Sequence, residues 1–391
     1  MPSFSRAIVI VLDGVGIGAL PDAPDYGDTG TATLPHIAER VPLRIPHLRE
    51  LGLDCVAHLG GPPGQITGAF GRMAERSAGK DSITGHWELM GVVLDRAFPV
   101  FAGGFPRDAI DELSKATGRR IIGNAAFSGT AVIEALGEEH LRTGALIVYT
   151  SADSVCQIAT HESVMSVADL YHVCETAFAI FCRGLGVARV IARPFAGAPG
   201  AFVRTSGRRD FALPPPDVTL FDRLSAAGRP VVGIGKIDDL FGGRGISRAI
   251  HTASDDEGMD AVLDALDEGP EGGMIMATLV DFDTRFGHRN DVDGFAANLE
   301  RFDARLGTVL ARLRRRDLLV TTADHGNDPT TPGTDHTREY VPLLAAGDAV
   351  APGRDLGTRA TFADLAETLA ELYEVPPLLR GTSFLQELTR P

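Results

Sequence analysis

Three segments place an aspartate at, or just beyond, the end of an apolar, β-rich run. Asp13 follows AIVIVL, Asp281 and Asp283 follow MIMATLV, and Asp324 follows LLVTTA. Histidines accompany two of them. His288 lies five residues beyond Asp283, His325 is adjacent to Asp324, and His336 lies twelve residues beyond Asp324 across the turn-rich loop GNDPTTPGTD. Three carboxylates and three imidazoles, with no thiolate, suit a pair of Mn²⁺ or Zn²⁺ ions. Such a pair can clamp the attacking and leaving oxygens of a phosphoryl group. Singly, each residue has a plainer use. Asp13 before Gly14 serves a turn, Asp283 caps a helix, and a lone histidine most often sits packed or solvated. It is the shared strand-end placement that argues for chemistry.

A second segment, Lys80-Asp81-Ser82-Ile83-Thr84-Gly85-His86-Trp87-Glu88, offers a hydroxyl nucleophile in Thr84. A nearby metal could lower its pKa, and a helix starting there would aim backbone amides at phosphate. The plain reading is that Thr84 is an N-cap. Gly14, Gly16 and Gly18 follow a strand, but the spacing is not that of a dinucleotide loop. Arg189, Arg193, Arg204, Arg208 and Arg209 supply guanidinium forks suited to phosphate oxygens, though most arginines are simply solvated.

These residues need strands to position them. Ala7–Leu12, Leu146–Tyr149, Val187–Ala192, Val231–Ile234, Met274–Val280 and Leu318–Ala323 read as buried strands. Between the last two, Gly294–Arg316 carries Phe295, Leu299, Phe302, Leu306, Leu310 and Leu313 at helical spacing. Alternation of this kind predicts an α/β fold with a central, mainly parallel sheet flanked by helices. Ligands in such sheets gather at the carboxyl ends of strands. The stretches FPVFAGGF at 98–105 and ALPPPD at 212–217 read as hinges, giving a core of 1–98 and 218–391 with an inserted α/β cap of 99–217.

The chain of 391 residues has a formal net charge of −15, which disfavours nucleic acid and anionic membranes as partners. Its apolar N-terminal run is too short for a signal peptide. Cys55, Cys156, Cys174 and Cys182 show no C-x-x-C pair, so free thiols and a cytoplasmic setting are expected.

Nearly end to end, the chain resembles the bacterial phosphopentomutases of the alkaline phosphatase superfamily. The resemblance rests on VLDGVGIGALPDAPDYGD, GKDSITGHWELMG, IIGN, LIVYTSADSVCQIA, RVIARPFAG, IGKI, LVDFDTRFGHRND and TADHGNDPTTPGTDHTREYVPLL. It implies an alkaline-phosphatase-like core, two Mn²⁺ ions, and interconversion of ribose 1-phosphate and ribose 5-phosphate, with the deoxyribose pair. That reaction links nucleoside breakdown to pentose phosphates. By position it implies Asp13, Asp324 and His325 on one metal, Asp283, His288 and His336 on the other, and Thr84 as phosphate carrier. Asp153 would contact the sugar, and Arg189, Arg204 and Lys236 the substrate phosphate. A sugar bisphosphate activator, such as glucose 1,6-bisphosphate or ribose 1,5-bisphosphate, would prime the phosphothreonine. The partners would be small sugar phosphates, and the chain a monomer. One departure is visible: Ser82 stands where the family pattern has threonine. The rivals are another two-metal phosphatase or a cofactor-independent phosphoglycerate mutase, the latter with a serine nucleophile.

Overall fold

The structure, a computed structural model, describes residues 4–60, 64–127, 129–151, 154–269 and 271–389. The chain divides into two compact units, Met1–Arg96 with Pro215–Pro391, and Ala97–Pro214.

The first unit is built on the run AIVIVL. Arg6–Leu12 is buried along its whole length, and it pairs in parallel with Met274–Leu279 on one side and Asp317–Thr322 on the other. Both of those strands are equally buried, as a sheet covered on both faces requires. Val231–Ile234 and Arg248–Ile250 extend the parallel block beyond Met274–Leu279. On the opposite side, Val341–Ala346 runs antiparallel to both of its neighbours, Asp317–Thr322 and Ala69–Met73, and Arg354–Arg359 closes the eight-stranded sheet.

Helices cover it. Asp255–Glu268 packs on Val292–Arg312, and Ser82–Leu89 packs on Ala363–Leu372. The long helix buries Phe295, Leu299, Phe302, Leu306 and Val309. It ends at Arg312, four residues before the sequence pattern runs out, because a carboxylate intervenes. Asp317 Oδ2 accepts the Arg314 N–H at 2.8 Å, and the Asp317 N–H returns to the Arg314 carbonyl at 2.9 Å, closing a turn. Asp317 is itself clamped by the buried Arg6 guanidinium at 2.6 and 2.9 Å.

In the second unit, Ile121–Ala126, Leu146–Thr150, Val155–His161, Arg189–Ala196 and Val203–Arg204 form a mixed sheet, with Arg209–Ala212 also paired to Arg189–Ala196. Its strand LIVYT shows the two-residue period of a pleated strand. Leu146 and Val148 enter one apolar cluster with Phe105, Leu113 and Phe181, whereas Ile147 and Tyr149 enter another with Val132, Ile133 and Phe195. Cys156, Cys174 and Cys182 are buried free thiols of the first cluster, and burial pushes all three pKa values up. Among the described residues, no helix is long and apolar enough to cross a membrane.

Candidate metal centre

Strand register brings the aspartates together. Leu12 lies opposite Leu279, and Val11 opposite Thr322, so three strands end at one edge of the sheet. The Asp13 N–H donates to the Leu279 carbonyl at 3.1 Å, and the Gly14 N–H donates to Asp324 Oδ1 at 3.1 Å. Gly14 has φ +80°, and a Cβ there would lie 3.0 Å from Asn327 Cβ, so glycine is required where these loops meet. Asp283 enters from a single wide turn of helix, Phe282–Phe286, directly after its strand.

The histidine loop is pinned at its neck. Gly326 and Thr337 exchange backbone hydrogen bonds of 3.0 and 2.7 Å, which folds His336 back until its ring stacks 3.9 Å from that of His325. Buried Glu339 ties this loop to the chain after Asp13 by accepting from the N–H groups of Gly18 and Thr33 and from the Thr33 and Thr337 hydroxyls. Arg338 is buried too. It pairs with Glu75 at 2.8 Å and donates to the carbonyls of Glu75, Ser77 and Gly79, holding the segment that leads into the Ser82–Leu89 helix.

All six expected metal-binding side chains converge. His325 Nε2 lies 3.3 Å from both Asp13 Oδ1 and Asp324 Oδ2. Asp283 lies between two imidazoles, with His336 Nε2 3.2 Å from Oδ1 and His288 Nε2 3.3 Å from Oδ2. Two overlapping triads, Asp13–Asp324–His325 and Asp283–His325–His336, each bring three ligand atoms within 4.8 Å of one another. His325 is common to both, and His288 approaches Asp283 beside the second.

The chemistry of this donor set fits divalent cations. In each histidine Nδ1 faces a backbone carbonyl: Gly326 for His325 at 3.0 Å, Lys80 for His336 at 3.1 Å, and Thr334 for His288 at 2.5 Å. A proton at Nδ1 satisfies each carbonyl and leaves the Nε2 lone pair aimed at carboxylate oxygens, the tautomer a metal ligand needs. Asp324 Oδ2 is buried and accepts no well-aligned hydrogen bond among the described residues. Such an oxygen is costly unless a cation answers it.

The electrostatics agree. Burial opposes ionisation of Asp13, yet the Lys236 ammonium and the His325 imidazole overcome it and hold the carboxyl well below the usual range. Asp283 behaves likewise: burial raises it, and His288 and His336 bring it far down. Burial would keep His325 neutral, but Asp324, Asp13 and Asp283 together push its pKa well up. The carboxylates thus demand positive charge, and a metal at Nε2 meets that demand as a proton would.

The hydroxyl departs from expectation. Asp81, not Thr84, is the helix N-cap: its Oδ1 accepts from the N–H groups of Ile83 and Thr84. Thr84 is the third helical residue, and its hydroxyl donates to the Asp81 carbonyl at 2.8 Å. It is Ser82 that reaches them, with Oγ 3.1 Å from His325 Nε2 and 3.4 Å from Asp13 Oδ1. His86, one turn later, has Nδ1 on the Ser82 carbonyl at 2.8 Å and 3.1 Å from Asp324 Oδ2. Residues 82 and 86 share a helix face and residue 84 does not, and that spacing was the available signal. Gly85 presses the helix on the Asp324 backbone, where a Cβ would sit 2.1 Å from the carbonyl oxygen. Asn327 is the other addition, donating Nδ2–H to Asp283 Oδ1 at 2.7 Å.

Lys236, expected on substrate phosphate, donates to Asp13 Oδ2 at 3.2 Å. Arg189 and Arg204 lie in the second unit. Arg189 pairs with Asp210 at 3.4 Å, and Arg204 is exposed on its short strand. Asp153 falls outside the described residues.

A mainly parallel sheet whose strand ends deliver carboxylates and correctly oriented imidazoles defines a metal-dependent enzyme, and the Metalloenzyme superfamily model matches residues 5–377. Among curated proteins, the chain is 52% identical over 385 residues to the phosphopentomutase of Caldanaerobacter subterraneus subsp. tengcongensis, covering 98% of each. It is 50% identical to that of Desulfitobacterium hafniense, covering 98% of this chain and 99% of the relative. To that of Clostridium novyi it is 48% identical, covering 99% and 100%. The chain belongs to the phosphopentomutase family.

Proposed function

We propose that the chain interconverts ribose 1-phosphate and ribose 5-phosphate, and the 2-deoxyribose pair, with Ser82 in place of Thr84 as the residue that carries phosphate. The observation behind this reading is the position of Ser82 Oγ, within 3.4 Å of one ligand from each of two strand ends. Thr84 spends its hydroxyl on a backbone carbonyl.

Phospho-Ser82 donates its phosphoryl group to the free hydroxyl of a sugar monophosphate, giving a 1,5-bisphosphate and a free serine. The sugar turns, and Ser82 Oγ takes the other phosphoryl group. Two divalent ions, Mn²⁺ in our reading, would be held by Asp13, Asp283, His288, Asp324, His325 and His336; they would supply Lewis acidity to phosphoryl oxygens and lower the hydroxyl pKa. Lys236 holds Asp13 in place, and the Gly14 N–H holds Asp324. The N-terminal turn of the Ser82–Leu89 helix adds its dipole toward phosphate. A sugar bisphosphate primes the serine.

In this reading the second unit selects substrate, with Arg189 and Arg204 on the distal phosphate and Asp153 on the sugar. Phosphosite mapping after incubation with ribose 1,5-bisphosphate tests the scheme. Phosphate on Ser82 is expected, and label on Thr84 with none on Ser82 would refute the reassignment. Turnover of 3-phosphoglycerate in preference to ribose 5-phosphate would refute the substrate.

A further inference from the structure

The opposite edge of the same sheet carries a second feature. A cavity of about 260 Å³ is lined by Phe4, Ser5, Arg229, Glu271, Gly272, Arg316, Leu372, Tyr373 and Glu374. Most of this lining precedes four adjacent parallel strands. Phe4 and Ser5 lead into Arg6–Leu12, Arg229 into Val231–Ile234, Gly272 into Met274–Leu279, and Arg316 into Asp317–Thr322. The metal ligands leave the far ends of three of those strands. A six-residue strand rises about 3.3 Å per residue, so the cavity lies roughly 20 Å from the metal centre.

Its charge is unusual. Arg229 is half-buried and has no side-chain hydrogen bond or ion pair among the described residues. Its guanidinium rests on the backbone of Gly272, where a Cβ would lie 2.8 Å from a guanidinium nitrogen. Arg316 gives one long contact, 3.5 Å to the Phe4 carbonyl, and its Nε is buried with no acceptor among the described residues. Glu271 and Glu374 are exposed at the rim, neither paired to these arginines. Two guanidinium groups line one recess, neither is ion-paired among the described residues, and one carries a buried Nε–H with no acceptor. An anion in the recess would supply that acceptor and pair with both.

We propose that this cavity is a second ligand site, and that it takes a small phosphorylated polyol. The phosphate spans Arg229 and Arg316, and the ligand's hydroxyls donate to Glu271 and Glu374. The glutamates make a bare anion the poorer fit, since they repel charge that reaches the rim. The volume falls just below the roughly 300–1,000 Å³ of ordinary small-molecule pockets, which limits the ligand to phosphate plus a few carbons. The site is independent of the reaction proposed above.

Equilibrium dialysis of the metal-loaded protein against sn-glycerol 3-phosphate, inorganic phosphate and glycerol tests it. The Arg229→Gln/Arg316→Gln double variant should bind one equivalent of glycerol phosphate fewer than the parent, with mutase turnover unchanged when no glycerol phosphate is added. Equal stoichiometry in the two proteins overturns the site. Should the double variant melt early, Arg229→Gln alone decides, with at least tenfold weaker binding expected and unchanged binding overturning the proposal. Glycerol should not bind at this site, and phosphate should bind more weakly than glycerol phosphate. Phosphate binding as tightly as glycerol phosphate overturns the role given to the glutamates.

Discussion

The two units manage charge in opposite ways. At the strand ends of the first, carboxylates and imidazoles are nearly all removed from water, and each imidazole is oriented by a backbone carbonyl. In the second, Arg189, Arg208 and Asp210 form a cluster that still touches solvent, with Arg208 side-chain exposure at 42%. Burial makes the first cluster rigid and hungry for a cation. Partial exposure leaves the second with arginines able to trade a carboxylate for another anion. The contrast teaches that one chain builds a rigid, buried charge cluster and an exchangeable, partly exposed one from different environments, which in the proposed scheme serve chemistry and choice of substrate respectively.

Removing the proposed nucleophile should test the first environment most severely. Ser82→Ala is expected to lower mutase turnover by about 10⁴-fold or more, the scale of losing a covalent-catalysis residue. Thr84→Ala should cost only the capping-box contact, about 1 kcal/mol of stability. Single-turnover kinetics on both variants would reverse the assignment if Thr84→Ala were the inactive one.

Next in size is Arg338, which is locked to Glu75 and three carbonyls. Arg338→Met leaves a buried carboxylate unpaired, and about 3–5 kcal/mol should be lost in denaturant melts. A loss below about 1 kcal/mol would mean that this clamp does not hold the helix entry.

Asn327→Ala removes the donor to Asp283 without touching a metal ligand. Metal titration should show affinity falling by about 10–100-fold, as for other outer-shell partners. Unchanged affinity would detach Asn327 from the centre.

The smallest effect belongs to the second unit. Burial raises the Asp210 carboxyl, but Arg208 and Arg189 outweigh it and hold it at about 2, below its ordinary 3.8. A depressed carboxyl stabilises the fold above its unfolded pKa and loses that contribution as pH falls toward the folded one. Stability should therefore drop between about pH 4 and pH 2, by at most about 2 kcal/mol. Asp210→Asn should flatten that slope, and a slope that survives the substitution would place the titration elsewhere.

The strand ends are legible in the sequence because a carboxylate closing an apolar run cannot sit inside a buried sheet and must fall at its edge, and the histidines follow from their spacing. Two things are hidden. Helical phase brings Ser82 to His325 and Asp13 while Thr84 bonds the Asp81 carbonyl, and phase depends on where the helix starts, which Asp81 sets by capping from within the same short motif. Lys236 joins Asp13 across a sequence gap that no local pattern spans. The long helix stops early because Asp317 captures Arg314, a side-chain contact invisible to periodicity.

The central strand Arg6–Leu12 has a consequence for how the protein is made. Both of its partners, Met274–Leu279 and Asp317–Thr322, lie far downstream. At about 5–20 residues per second, a ribosome needs some 13–50 s to reach the first of them. For that interval AIVIVL emerges with both edges unpaired, the condition under which strands recruit foreign neighbours. Slowing translation before residue 274 should therefore lengthen that exposure and raise aggregation in cells.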